Sequence, residues 1–272
     1  MAQRPFRFGI VAGRPQSVAD LGTAARRLES QGYGVMLFPD TLGTLSPAIA
    51  CAAAASATRS LHVGPHVLAA PNRTAGQVAF ETKTLHTLTD KRYELGIGAG
   101  RPGAETDAAE LGMPFGSAAD RIILVEQTIA AVRAKSPDTR ILVAAGGRRM
   151  LRSAGRLADT VTFGMSPRAD EKGLSTAVGT LREGAQSRFD ELELAQNLLV
   201  VGDEAPPWIL QWSGSDLAGL RAAGSVAVLS GTTVEMADVL RRRRDQFGIC
   251  YVSTSEPFAD ALAPVVQLLA GR

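Results

Sequence analysis

The stretch TLTDKRYELGIGAGR, residues 87–101, decides how the chain folds. Thr89-Asp90 signals a turn, and from Tyr93 the residues alternate. Tyr93, Leu95, Ile97 and Ala99 share one face, and Glu94, Gly96 and Gly98 share the other. The first face is apolar and suits packing beneath helices. The second is mostly bare backbone. Glycine weakens an ordinary strand, so a row of glycines marks the close approach of something else. In a closed barrel that is interior filling or a ligand. Alternatively, the glycines make room for a large residue on a neighbouring strand. Glu94 shares the glycine face, so in a barrel lumen it must be paired or neutral. A structural hydrogen-bonding role is expected of it.

Outward from this strand, strand and helix signals alternate along the whole chain, the pattern of a parallel α/β fold. Strands are predicted at 6–12, 35–38, 61–70 with Pro65 interrupting, 92–99, 141–145, 160–164, 194–201 and 249–253. Helices follow at about 20–31, 47–57, 74–88, 121–134, 148–157, 169–190, 233–247 and 259–270. Residues 202–231 are the least regular, with Pro206, Pro207, Trp208, Trp212 and a short helical piece at 217–222. Eight strands, each followed by a helix, make a single (β/α)8 TIM-type barrel, which takes about 250 residues. An open doubly wound sheet would stop sooner. The 272 residues show no linker or repeat that would divide them, so one domain is expected.

Composition excludes several classes of function. The net charge of +2 offers no bulk electrostatic pull toward nucleic acid or an anionic membrane. The only basic run, Arg241–Arg244, lies in a helical pattern and reads as a solvated face, with phosphate binding by one arginine as the alternative. Cys51 and Cys250 are far apart and lack metal-ligand spacing, so both read as small core residues rather than a disulfide or metal site. No apolar run is long enough to span a bilayer. MAQRPFRFGIV enters a strand without a leader layout, so a cytoplasmic location is expected.

In a parallel barrel the chemistry sits at the C-terminal ends of the strands. The sharpest candidate there is RILVAAGGRRML, residues 140–151, a buried strand that runs through Gly146-Gly147 straight into a helix. Free N–H groups and the positive dipole end of a helix bind phosphate, and Arg148 or Arg149 can add a charged hydrogen bond. Asp40, in FPDT at the end of the second strand, is a candidate acid or base, or a cap. The alternative at Gly146-Gly147 is a tight strand-to-helix turn with nothing bound. His66, in HVLAAPNRT, has the phase of Leu68 and Ala70. It is either a satisfied core histidine or, if lumenal, a general acid titrating near neutrality. GAGRPG, residues 98–103, fits G-x-G-x-x-G on paper, but proline follows at once and no helix opens there, so a Rossmann loop is rejected.

DKRYELGIGAG resembles the fourth strand of the luciferase-like monooxygenase family, in which an LS-x-GR turn precedes ELG-x-GAG. AAGGRRMLRSAGRLADTV, residues 144–161, is similar to that family's glycine-rich segment ending in ADIV. The resemblance implies a TIM-type barrel that uses coenzyme F420 or FMN. It implies a coenzyme phosphate on Gly146, Gly147, Arg148 and Arg149. It places the ring near Asp40 and against an unusual cis peptide, matched here by Ala69-Ala70, with Asn72 beyond and Gly98 and Gly100 close to the coenzyme. It further implies a homodimer acting on a small molecule. Two family histidines are replaced by Thr41 and Thr74, and the connection from Ala134 to Arg140 is short where relatives carry a longer excursion. An F420-dependent reductase or dehydrogenase is the leading expectation, with catalytic residues Asp40 and His66. The alternatives are an FMN-dependent monooxygenase and a cofactor-free lyase, cyclase or binding barrel.

Overall fold

The computed structural model describes residues 4–13 and 15–272, and for Trp212 the backbone only. The strands are β1 (Arg7–Val11), β2 (Val35–Phe38), β3 (His62–Pro65), β4 (Leu68–Ala69), β5 (Leu95–Gly98), β6 (Ile141–Ala145), β7 (Thr160–Phe163), β8 (Glu193–Leu198), β9 (Val200–Val201), β10 (Val228–Leu229) and β11 (Ile249–Ser255). The helices are α1 (Val18–Ser30), α2 (Pro47–Ser56), α3 (Ala75–Leu88), α4 (Ala104–Glu110), α5 (Ala118–Lys135), α6 (Arg148–Leu157), α7 (Glu171–Ala185), α8 (Pro207–Ser213), α9 (Leu217–Ala222), α10 (Thr233–Phe247) and α11 (Ala259–Leu269). Part of the N-terminal leader reading concerns Met1–Gln3, which lie outside the described residues.

Nine parallel segments form one sheet in the order β3-β2-β1-β11-β8-β7-β6-β5-β4. Its two ends belong to one stave. β3 pairs with β2, β4 pairs with β5, and a Val63–Tyr93 bridge ties β3 to the start of the β5 stave. The ring therefore closes through the third stave, and eight staves make the barrel the sequence predicts. β9 and β10 form a small parallel pair of their own, α8 lies in the stretch read as irregular, and α4 is a short helix not expected from the sequence.

Local chemistry sets the helix starts. Ser17 caps α1, and Thr74, Ser117 and Thr232 each close a capping box three residues into α3, α5 and α10. Packing sets which strand face looks inward. Phe8, Ile10, Leu95 and Ile97 belong to the outer core beneath the helices. Val35, Leu37, Leu142, Ala195 and Tyr251 form a second cluster, with Val11 and Val67 against it, which fills the lumen.

The glycine face of β5 is lumenal, and what approaches it is the protein's own broken third stave. A Cβ on Gly96 would collide with the carbonyl oxygen of Pro65, one on Gly98 would press on Val67, and one on Gly64 would collide with the carbonyl oxygen of Glu94. The break lies between β3 and β4, where the His66–Val67 peptide is cis. The cis bond is thus not at Ala69-Ala70, the family-based match. Ala69 instead continues in β4 and Ala70 opens a short 3-10 turn.

Candidate active site at the barrel mouth

The two ends of the lumen differ in chemistry. At the N-terminal end, Arg7 Nη2 donates to Glu94 Oε2 at 2.8 Å, and His62 Nδ1 lies 2.8 Å from Glu94 Oε1. Arg140 reaches Glu193 at 3.0 Å, the Thr160 hydroxyl donates to Glu193 at 2.8 Å, and Arg7 Nε stands 3.7 Å from Glu193. Burial works against the Glu94 carboxylate, but the Arg7 charge and the bonds from His62 and Arg7 outweigh it and hold its pKa at about 2. Glu94 is therefore paired, in the structural role expected of it.

At the C-terminal end a cavity of about 190 Å³ is lined by His66, Ala144, Thr162, Gly164, Asn197 and Val226, among others. No Asp, Glu, Lys or Arg is among its lining residues. Ser253 Oγ donates to Asn197 Oδ1 at 3.0 Å, leaving the Asn197 amide nitrogen without a protein partner among the described residues. His66 keeps some surface toward the cavity, yet the dense lumen wall around it disfavours the cation. Burial draws its pKa from 6.5 down to about 4. The imidazole is therefore neutral at pH 7: a hydrogen-bonding group rather than a general acid titrating near neutrality, one of the two roles expected of it.

Asp40 follows β2, with its side chain 6% exposed. Arg73 Nη1 and Nη2 donate to its two oxygens at 2.7 and 2.8 Å, and the Ala69 amide adds a third bond at 2.9 Å. The carboxylate fixes the segment after the broken stave and has no oxygen left without a donor. Asn72 is buried in the 3-10 turn, and its Oδ1 has no partner. Gly98 packs against Val67 and Ala144, and Gly100, at φ +91°, turns the chain against Ala104 and Phe115. Ala69 and Gly98 are paired neighbours between β4 and β5.

Gly146, Gly147, Arg148 and Arg149 lie exposed on the rim. Gly147 is the N-cap of α6. It has extended backbone, no side-chain cap and open space where a Cβ would stand. The first N–H groups of α6, which no helix can satisfy internally, therefore have no side-chain acceptor among the described residues. Gly146 cannot be replaced freely, because a Cβ there would collide with the Gly164 carbonyl oxygen. Gly164 itself lines the cavity, so the open helix end and the cavity share a wall.

Thr162, Gly164, Gln196, Asn197 and Val226 are site residues that sequence reasoning missed. Thr162 and Asn197 could have been found as polar residues at inward positions near the ends of their strands. Gln196 and Val226 carry no such signal. A larger cavity, about 520 Å³, lies at the opposite end beside Arg4, Arg182, Phe189 and Arg244; of the residues singled out in the sequence only Arg244, from the basic run, lines it. Among the described residues, no group of three His, Cys, Asp or Glu is placed to hold a metal ion, and no helix is long and apolar enough to cross a membrane.

A parallel barrel with an uncharged cavity and an open helix end at its C-terminal mouth belongs to the α/β-barrel class whose sites sit on that face. Within that class, the profile of the luciferase-like monooxygenase family matches residues 4–207, and the chain belongs to this family. No curated protein sequence matches the chain. Among solved structures, the F420-dependent tetrahydromethanopterin reductase of Methanopyrus kandleri is similar at 17% identity, with a TM-score of 0.74 and coverage of 98% of this chain and 99% of that one. An F420-dependent secondary alcohol dehydrogenase, solved with an F420–acetone adduct, gives 15% identity, a TM-score of 0.77 and coverage of 96% and 98%. The oxygenating constituent of 3,6-diketocamphane monooxygenase from Pseudomonas putida, solved with FMN, gives 16%, 0.68, and 96% and 95%. At these identities the likeness establishes the fold.

Proposed function

We propose that the chain is an F420-dependent oxidoreductase, a reductase or dehydrogenase for a small organic molecule, with FMN as the alternative coenzyme. The observation that carries this reading is the uncapped N-terminus of α6, exposed on the rim and sharing a wall with the cavity. It fits an anionic coenzyme tail: the Gly147–Arg149 backbone offers free N–H groups, and Arg148 and Arg149 add charge. The coenzyme, when bound, supplies or accepts hydride. The chain's residues do the rest. Asp40 holds Arg73 and Ala69 so that the broken stave keeps its shape. Neutral His66, Thr162 and the Asn197 amide hydrogen-bond and orient the substrate. A cavity of this size, below the usual 300–1,000 Å³ of ligand sites, favours a small substrate. With no acidic side chain in the lining, any proton needed there enters from solvent through the mouth.

The proposal includes a cytoplasmic homodimer with no nucleic-acid or membrane partner. A cofactor-free barrel is the rival that Thr41 and Thr74 favour, since both stand where the family carries histidine. Titration of the purified protein with F420 and with FMN, followed by fluorescence, separates the readings. Tight binding of F420 is expected. Preference for FMN moves the assignment to the monooxygenase alternative. Binding of neither at high micromolar concentration leaves the cofactor-free barrel.

A further inference from the structure

The four arginines of α10 do not share a solvated face. Arg241 pairs with Asp238 at 2.7 Å, Arg242 with Glu171 at 2.9 Å, and Arg244 stacks on the Phe6 ring at 4.2 Å. Arg243 turns inward and is 5% exposed. Its Nη1 donates to the Gln196 side-chain oxygen at 3.2 Å and to the Val226 carbonyl at 2.8 Å. Its Nε is buried and lacks an acceptor. The carboxylate nearest this guanidinium is Glu171, 3.9 Å from Nε and already engaged by Arg242. Burial draws the pKa of Arg243 down to about 10, Glu171 offsetting only part of that, so it remains a cation at neutral pH. A buried cation is costly unless paired, and this one is held mainly by two neutral dipoles.

Both of those dipoles, Gln196 and Val226, line the mouth cavity, and the lining carries no formal charge of its own. A cation behind a neutral, poorly solvated wall raises the potential inside it. We propose that Arg243 is an electrostatic positioning residue: it biases the cavity toward a substrate that carries, or gains during the reaction, negative charge on an oxygen. A carboxylate, an enolate and an alkoxide share that chemistry. The role in turnover rests on the oxidoreductase reading above, whereas the potential in the cavity does not.

The test needs no coenzyme. Ala227 lines the cavity next to Val226, and the native Cys51 and Cys250 are buried. A single Ala227→Cys thiol, titrated through the pH dependence of its alkylation by iodoacetamide, reports how well the cavity stabilises an anion. Adding Arg243→Gln or Arg243→Met is expected to raise the thiol pKa by about one pH unit. Arg243→Lys, which keeps the charge but not the fork, is expected to hold it near the parent value. An unchanged pKa in the neutral variants overturns the proposal. So does a Lys variant that behaves like Gln, or unfolding of both neutral variants by circular dichroism, since either makes Arg243 a structural tie. A thiol that responds in a protein binding neither F420 nor FMN leaves the potential standing and removes the coenzyme reading. The converse result removes only the role of Arg243.

Discussion

The two ends of one lumen solve opposite problems. At the N-terminal end, Arg7, Glu94, Arg140 and Glu193 bring full charges into the barrel and pair them with one another. At the C-terminal end, the cavity lining has no formal charge, and its polar groups, among them His66, Thr162 and Asn197, are neutral. Paired buried charges resist change, because removing one partner strands the other. Neutral dipoles around a cavity can turn toward a ligand without stranding a charge. The barrel's polar residues thus close it with paired charges at one end and line its cavity with neutral groups at the other.

The contrast can be broken most forcefully at Glu94. Glu94→Ala leaves Arg7 without its closest partner and is expected to cost about 3–5 kcal/mol in urea unfolding. Coenzyme affinity of the folded fraction should hardly change. A loss below about 1 kcal/mol would mean that the charges at this end of the lumen are not tightly coupled.

Acid should resolve the two ends in separate windows. Glu94 has a folded pKa of about 2 against an ordinary 4.5, so its stabilisation is complete above pH 4.5 and disappears as the pH falls toward 2. That contribution is on the order of 3 kcal/mol. His66 has a folded pKa of about 4 against 6.5, so the unfolded chain takes up that proton first and stability declines as the pH falls from 6.5 to 4. Glu94→Gln should flatten the lower window of a stability-against-pH profile and His66→Gln the upper one. If His66→Gln leaves the upper window unchanged, the imidazole is not shielded as described.

A methyl group tests the glycine face. Gly96→Ala drives a Cβ into the Pro65 carbonyl and is expected to cost about 1–3 kcal/mol, the range of overpacked cores. Tolerance without loss in thermal unfolding would show that the third stave can shift.

The smallest effect on stability comes from Gly147→Asp. The site is extended and open, so the carboxylate should cap α6 and add a few tenths of a kcal/mol. The same change should weaken coenzyme binding at least about tenfold, because the new carboxylate takes the free N–H groups and repels a phosphate. Stability and affinity moving in the same direction would remove the rim of α6 as an anion site.

Legibility in the sequence followed locality. The alternation of Tyr93, Leu95 and Ile97 with Glu94, Gly96 and Gly98 gave the correct inward face, because side-chain direction along a strand depends only on neighbours. The passage from Ala145 through Gly146-Gly147 into Arg148 gave the helix start to the residue, because caps and glycines act within one turn. That something lies close to Gly96 and Gly98 was legible, but not its identity, since the Pro65 carbonyl and Val67 meet them from another stave. The position of the cis bond, between His66 and Val67, followed no local proline signal.

The barrel, its inward faces and the start of α6 were thus readable from the chain alone, because all of them are written in periods of two and 3.6 and in local capping. Folding in three dimensions was needed to show that Asp40 is held by Arg73, that His66 stays neutral in the lumen wall, and that Arg243 turns inward from a run of four arginines. Those outcomes depend on which distant groups come within a few ångströms and on how much water is excluded. Neither quantity is carried by any short stretch of chain.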